Sequence, residues 1–209
     1  MAYTTDLTTK LTGATPAQLK RFRDRGVLVP EYQDGREYLY SFRDIVALRS
    51  LMWLRGDFSL QSIRRVIDNL DLAHISAEHL SEVKFAKSGN TILAKGDDEY
   101  TDLLRQPGNR ELTQFTLGDI FGAFKTWSDR DVPDLRNPRK HLSVNPERMG
   151  GIPVINGTRI PYDTIARLVD GVTIRVEDVH TYYPQVSTAA ARDAIDFAQA
   201  APGRRKVIA

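Results

Sequence analysis

Cysteine is absent from the 209 residues, so the chain has no disulfide framework, no thiolate zinc site and no thiol redox switch. Histidine is scarce. His74, His79, His141 and His180 show neither an H-x-x-x-H nor a His-plus-carboxylate spacing, which makes them surface or core groups rather than metal ligands. No apolar run reaches about 18 residues, the shortest that reads as a membrane span. The opening MAYTTDLTTK lacks the basic-then-apolar layout of a signal peptide, so a cytoplasmic location without a membrane partner is the expectation. A Gly-rich phosphate loop, a nucleophile with its base and a convergent carboxylate motif are missing too; no enzyme activity and no cofactor or metal is expected. Asp97, Asp98, Glu99 and Asp102 cluster, but they are adjacent in sequence after a turn and read as a solvated acidic patch.

What is present is enough for a folded core: 41% of residues are hydrophobic, and the length suits one large domain or two small ones. The overall net charge of +2 hides a division. Residues 1–70 carry +3, residues 71–134 carry −5 and residues 135–209 carry +4. Two basic ends around an acidic middle suggest separate tasks, the ends facing a polyanion or an acidic partner.

Helix signals dominate the first seventy residues. TDLTTKLT places Leu7 and Leu11 at i, i+4 and stops at Gly13. In TPAQLKRFRDRG, Thr15 and Gln18 form a capping-box pair, Pro16 takes the first helical position and Gly26 ends the helix. Leu19 and Phe22 point one way; Gln18, Arg21 and Arg25 line another face. VLVPEYQDGREYLY reads as a hairpin around Asp34-Gly35. Ser41 then caps a helix with Ile45, Leu48, Leu51 and Met52 as its stripe, which Gly56 stops, and Ser59 caps another carrying Ile63, Val66, Ile67 and Leu70.

In the middle, VKFAKSGNTILAKG predicts a hairpin around Ser88-Gly89-Asn90, and Pro107-Gly108-Asn109 a second turn. Ile120, Phe121, Phe124 and Trp127 predict a short helix over 117–127. DRDVPDLRNPR, polar and with two prolines, is placed as the linker. Beyond it HLSVN predicts a strand, and three short helices follow at about 161–170, 174–182 and 187–200, with Ala190, Ala194, Ile195 and Ala198 on one side of the last. In GGIPVINGTRIP, Gly150, Gly151 and Gly157 permit backbone angles closed to other residues, while Pro153 and Pro161 stiffen the corner. Tyr182, Tyr183 and Pro184 are read as core and helix terminator.

The order helix, turn, capped helix, hairpin and two amphipathic helices resembles the winged-helix DNA-binding domain of the MerR superfamily over residues 3–70. The carrying pieces are Tyr3-Thr4, LTGATPAQLKRFRDRGVLVP, DGREYLYS and FSLQSIRRVI. The resemblance implies that the second helix enters a major groove while the hairpin flanks the backbone as a wing. Gln18, Arg21 and Arg25 then face the groove, where Gln can read adenine and Arg guanine. Lys10, Thr15, Lys20, Arg23 and Arg36 would serve phosphates. Lys20 can instead pair with Asp24, and Tyr38 and Tyr40 either touch the backbone or complete a core. Typical members continue into a long dimerisation helix and an effector site, cysteine-bearing in the metal sensors. This chain turns hairpin-like after Leu70 and has no cysteine, so metal or thiol sensing is not implied.

HLSVNPERMGGIPVINGTRIP, with its following helix, YP element and alanine-rich helix, is similar over about 141–200 to a small domain marked by NPxxxGGxPxxxGTRIP. Such domains occur in antitoxins paired with PIN-like ribonuclease toxins, and the combination resembles a mycobacterial-type VapB antitoxin. The implied fold is mainly α with small β elements (α+β). Residues 1–70 form a MerR-like winged helix-turn-helix, 71–134 an acidic connecting region and 135–209 a three-helix, helix-turn-helix-like domain with a basic tail. The implied partners are operator double-stranded DNA, a second copy of the chain and a PIN-like ribonuclease toxin. Arg159 is open between an ion pair with Asp163 and a partner contact. Arg204, Arg205 and Lys206, after Pro202-Gly203, either fray in solvent or reach the toxin's metal-binding carboxylates. The competing reading is a stand-alone MerR-like regulator without a toxin.

Overall fold

The computed structural model describes residues 2–71, 73–96, 99–105, 107, 116–117 (backbone only) and 119–200. Among them are seven α-helices and several small antiparallel sheets. Helix α1 (Thr5–Thr12) starts where Thr4 accepts the Leu7 N–H and ends at Gly13, whose φ of 71° continues the chain into the next turn. Helix α2 (Pro16–Asp24) carries the expected capping box: the Gln18 N–H donates to Thr15 Oγ1 (3.2 Å) and the Thr15 N–H to Gln18 Oε1 (2.7 Å). Thr15→Ala is expected to cost about 1 kcal/mol, read as a lower urea midpoint.

Strands β1 (Tyr32–Asp34) and β2 (Glu37–Leu39) form the hairpin, with the two-residue turn at Gly35–Arg36, one residue beyond the expected centre. Helix α3 (Phe42–Leu54) is the centre of the molecule. Asp44 through Leu54 are buried except Trp53, so the helix is covered all round rather than along one stripe. Helix α4 (Leu60–Asp68) buries Ile63 and Val66.

The middle region begins with the expected hairpin. Strands β3 (Phe85–Ser88) and β4 (Thr91–Lys95) pair across Gly89-Asn90, and β5 (Tyr100–Asp102) and β6 (Thr116–Leu117) extend them into a sheet ordered β5-β4-β3-β6. Asn69 Nδ2 donates to the Leu103 carbonyl (2.8 Å), fastening α4 to this sheet. Of the second expected turn, Gly108 and Asn109 lie outside the described residues.

The helix expected over 117–127 does not form. Asp119 Oδ1 accepts the Phe121 and Gly122 N–H groups and turns the chain, and β7 (Phe124–Lys125) then pairs with β8 (Asp131–Val132). The carbonyls of 120–122 are taken by a side chain from α3. Arg49, fully buried, donates to the carbonyls of Leu11, Ile120 and Gly122 (2.7 Å to the last). Burial pushes its pKa down to about 10, which still leaves it charged at neutral pH. The expected linker is likewise part of the core: Val132 and Leu135 are buried, and a Cβ at Gly13 would stand 2.5 Å from Val132 Cγ2.

Strands β9 (Leu142–Ser143) and β10 (Val154–Ile155) pair antiparallel at the start of the C-terminal region. Helices α5 (Tyr162–Leu168), α6 (Val179–Tyr182) and α7 (Thr188–Gln199) follow, α5 packing on α7 with Tyr162 edge-on to Phe197 at 4.9 Å. Tyr183 packs half-buried, but Tyr182 is 56% exposed and is not core.

Two hydrogen bonds dock this region on the N-terminal one: Tyr3 Oη to the Gly150 carbonyl (3.0 Å) and Lys10 Nζ to the Ala198 carbonyl (2.7 Å). Gly151 lies at the first of these contacts with φ 81°, and a Cβ there would meet Tyr3 Oη at 2.3 Å and Phe42 Cδ2 at 2.9 Å. Gly157 has φ 75° but open space around it. Gly157→Ala is expected to cost only the left-handed strain of about 1–2 kcal/mol. Gly151→Ala should cost clearly more, because it also forces the two regions apart. Comparing their urea midpoints checks this.

Candidate nucleic-acid interface

Helix α2 is anchored by Leu19 and Phe22, which are buried, and its opposite face is free of packing. Arg21 and Arg25 are exposed there and engage no carboxylate among the described residues. Lys20 is also exposed but forms an ion pair with Asp24, which holds the Asp24 carboxyl below its ordinary value. Arg36 stands exposed at the tip of the β1–β2 turn.

The remaining candidates have structural occupations. Arg23 stacks on the Tyr38 ring with 3.9 Å from guanidinium carbon to ring centroid, so this pair braces the hairpin against α2. Tyr40 is buried, bridged to Tyr3 through both backbone N–H groups (2.7 and 2.9 Å). Thr15 caps α2 with its hydroxyl as acceptor, which leaves the hydroxyl proton available. Gln18 is corrected from base reader to positioner: its Oε1 accepts from Thr15 N and from Arg130 Nη2 (3.0 Å), so it cannot make the paired contact an adenine requires. Lys10 is corrected too. Its side chain is only 6% exposed and spans Asp6 and Ala198, which takes it out of reach of a phosphate.

Sequence reasoning missed two basic residues beside α2, Arg55 and Arg130. Arg55, at the end of α3, lies over the Trp127 ring at 4.6 Å and is close enough to Arg21 that the two charges repel, adding to the burial that lowers its pKa. Arg130, half-buried, reaches Gln18 from the β7–β8 turn. Their only sequence signal is local basicity, because the contacts that bring residues 126–130 to α2 link segments far apart in the chain.

In the C-terminal region, of the two roles left open for Arg159, the ion pair with Asp163 does not form. Asp163 pairs with Arg167, one turn along α5, and Arg159 is exposed. Arg204, Arg205 and Lys206 lie outside the described residues. Of the acidic patch, Asp97 and Asp98 are also outside them, while Asp102 Oδ1 accepts from Thr91 Oγ1 (2.7 Å) and two backbone N–H groups as a turn brace. Among the described residues no three His, Asp or Glu side chains converge to hold a metal ion. No described helix is long and apolar enough to cross a membrane.

Comparison with known proteins matches two separate segments of the chain. Residues 3–70 match the model of the MerR helix-turn-helix family of regulatory proteins, and residues 142–198 match a domain of unknown function, DUF433. An uncharacterized protein, y4eO, of Sinorhizobium fredii is 33% identical over 97 residues, covering 45% of this chain and 42% of its own length, so the match spans under half of that relative. The crystal structure of Rv2018 from Mycobacterium tuberculosis superposes with a TM-score of 0.50 at 13% identity, covering 93% of this chain and 96% of that one, a likeness of fold. The chain therefore joins a MerR-type helix-turn-helix domain at its N-terminus to a DUF433 domain at its C-terminus.

Proposed function

We propose that this chain is the antitoxin of a type II toxin–antitoxin system. Its N-terminal domain binds the operator of its own gene as a homodimer, and its C-terminal part neutralises a PIN-like ribonuclease. The observation that carries the reading is one chain uniting a helix-turn-helix whose capped α2 exposes Arg21 and Arg25 with a DUF433 domain whose Arg159 is exposed and not paired with Asp163. Arg21 and Arg25 read base edges, while Lys20, Arg36 and the Thr15 hydroxyl hold phosphates. Arg159 and the basic tail Arg204, Arg205 and Lys206 address the toxin, since a guanidinium matches paired carboxylates bidentately. The protein works in the cytoplasm.

The alternative, a stand-alone regulator, is favoured by the Tyr3–Gly150 and Lys10–Ala198 contacts, through which an event at the C-terminal domain would be felt at the DNA-binding one. Coexpression separates them. The tagged chain is purified together with the product of the adjacent reading frame, and the complex is assayed for ribonuclease activity before and after the chain is removed by denaturation and the partner refolded. A silent complex that releases an active nuclease supports the antitoxin. A neighbour that neither binds nor cleaves RNA leaves the regulator. A chain ending at Ala201 is expected to inhibit less well; unchanged inhibition removes the tail from the toxin contact.

A further inference from the structure

We infer that the β7–β8 turn, residues 126–130, is a DNA-backbone contact beside α2, supplied by the middle region rather than by the helix-turn-helix domain. The inference rests on the reading that α2 enters the major groove.

Two direct contacts and one charge repulsion place the turn there. Arg130 Nη2 donates to Gln18 Oε1 at 3.0 Å, in the first turn of α2. Arg55 covers Trp127 at 4.6 Å, and the Arg55 charge is in turn repelled by Arg21. A recognition helix lies in the major groove, and the phosphates flanking that groove lie beside it. A basic, aromatic turn packed against Gln18 is placed to meet them.

The turn is built to hold its position. The Thr126 N–H donates to the Arg130 carbonyl (2.9 Å), the Arg130 N–H to Thr126 Oγ1 (3.2 Å) and the Asp129 N–H to the Thr126 carbonyl (2.9 Å), with Asp129 in the left-handed region at φ 57°. Thr126 is buried, and Val132 just beyond packs at Gly13 between α1 and α2. Charge is sorted as well. The Asp129 carboxylate pairs with Lys125 at 2.9 Å, and Asp131 lies 3.9 Å from the same ammonium, so the acids of the hairpin are matched within it. Arg130 and Arg55 are left on the α2 side.

Trp127 completes the argument. It is 39% exposed although its indole offers a large apolar face and an N–H donor. A sugar-phosphate strand uses both: the ring face against deoxyribose and the N–H toward a phosphate oxygen. Arg130 and Arg55 supply the neighbouring positive charge, and no base identity is read.

The test titrates the full chain into a fluorescein-labelled duplex of random sequence and into duplexes tiling the region upstream of its gene, across a salt series. Arg130→Gln is expected to make the salt dependence shallower by about 0.9 in slope, the signature of one lost phosphate neutralisation. If Arg130 only positioned Gln18, binding to the upstream duplex would weaken with the slope unchanged. Trp127→Ala is expected to weaken binding to both kinds of duplex by about two- to tenfold, and Trp127→Phe by less. Thermal midpoints of the variants confirm that they fold. An unchanged slope and affinity in folded variants, alongside loss of binding in Arg21→Ala, overturns this inference and leaves the DNA reading of α2 intact. Tighter binding by Arg130→Gln overturns it by making the turn an obstruction. No binding of any duplex by the unaltered chain overturns both.

Discussion

Arg49→Ala is expected to destabilise the protein by about 3–5 kcal/mol, measured as a shift of the urea midpoint at constant slope. From α3 the guanidinium reaches two distant stretches of chain: the end of α1 through Leu11, and the loop at Ile120 to Gly122. Each abandoned buried carbonyl costs roughly 1–3 kcal/mol, and the vacated volume adds a cavity. Arg49→Met retains much of the volume but orphans the same carbonyls, so it should recover only the packing share. Arg49→Lys keeps the charge but cannot serve three carbonyls from one ammonium in that geometry, and should fall between. A loss under about 1 kcal/mol for alanine would mean that the loop finds other donors and that the β7–β8 hairpin is not held by α3.

Arg21→Ala and Arg25→Ala are each expected to weaken binding to the upstream DNA by about tenfold or more, since a good bidentate contact to a base discriminates by roughly 1–3 kcal/mol. Both side chains are exposed and carry no ion pair among the described residues, so the thermal midpoint should not move. The loss should be largest on one sequence and small on random duplex, the mark of base reading. Lys20→Ala should lose less because its charge is already shared with Asp24, and its loss should be the same on every sequence. Anisotropy titrations at fixed salt check the set. Equal, small losses for all three would reduce α2 to a non-specific basic surface.

Caps and turns were legible in the sequence because their chemistry is local. Thr15 with Gln18, the Ser41 cap and the Gly89 turn each place their partners within three residues, and each stands where the pattern put it. Residues 117–127 were not legible. Ile120, Phe121, Phe124 and Trp127 imitate helical spacing, yet the outcome is set by Asp119 turning the chain and by Arg49, some seventy residues away, capturing the carbonyls a helix would have used. The expected linker is core as well: Val132 and Leu135 are buried, and the Leu135 N–H donates to the Phe121 carbonyl (2.7 Å).

The site follows the same division. Basicity and helical phase were enough to mark Arg21 and Arg25 as the exposed face, but they could not separate them from Lys10, whose side chain spans Asp6 and the end of α7. Nor could they show that Gln18 has no free carbonyl lone pair, because its second partner, Arg130, arrives from a segment that reads as linker. Tyr38, open between core and backbone contact, serves instead as the platform for Arg23.

The most direct test of the account is a hydroxyl-radical footprint of the full chain on the DNA upstream of its gene. The account predicts two symmetric protected patches about 10–10.5 base pairs apart, or a multiple of that spacing, as two copies of α2 entering successive major grooves require. Both patches should be lost together with Arg21→Ala. A uniform, sequence-independent protection, or protection that survives that substitution, would contradict it.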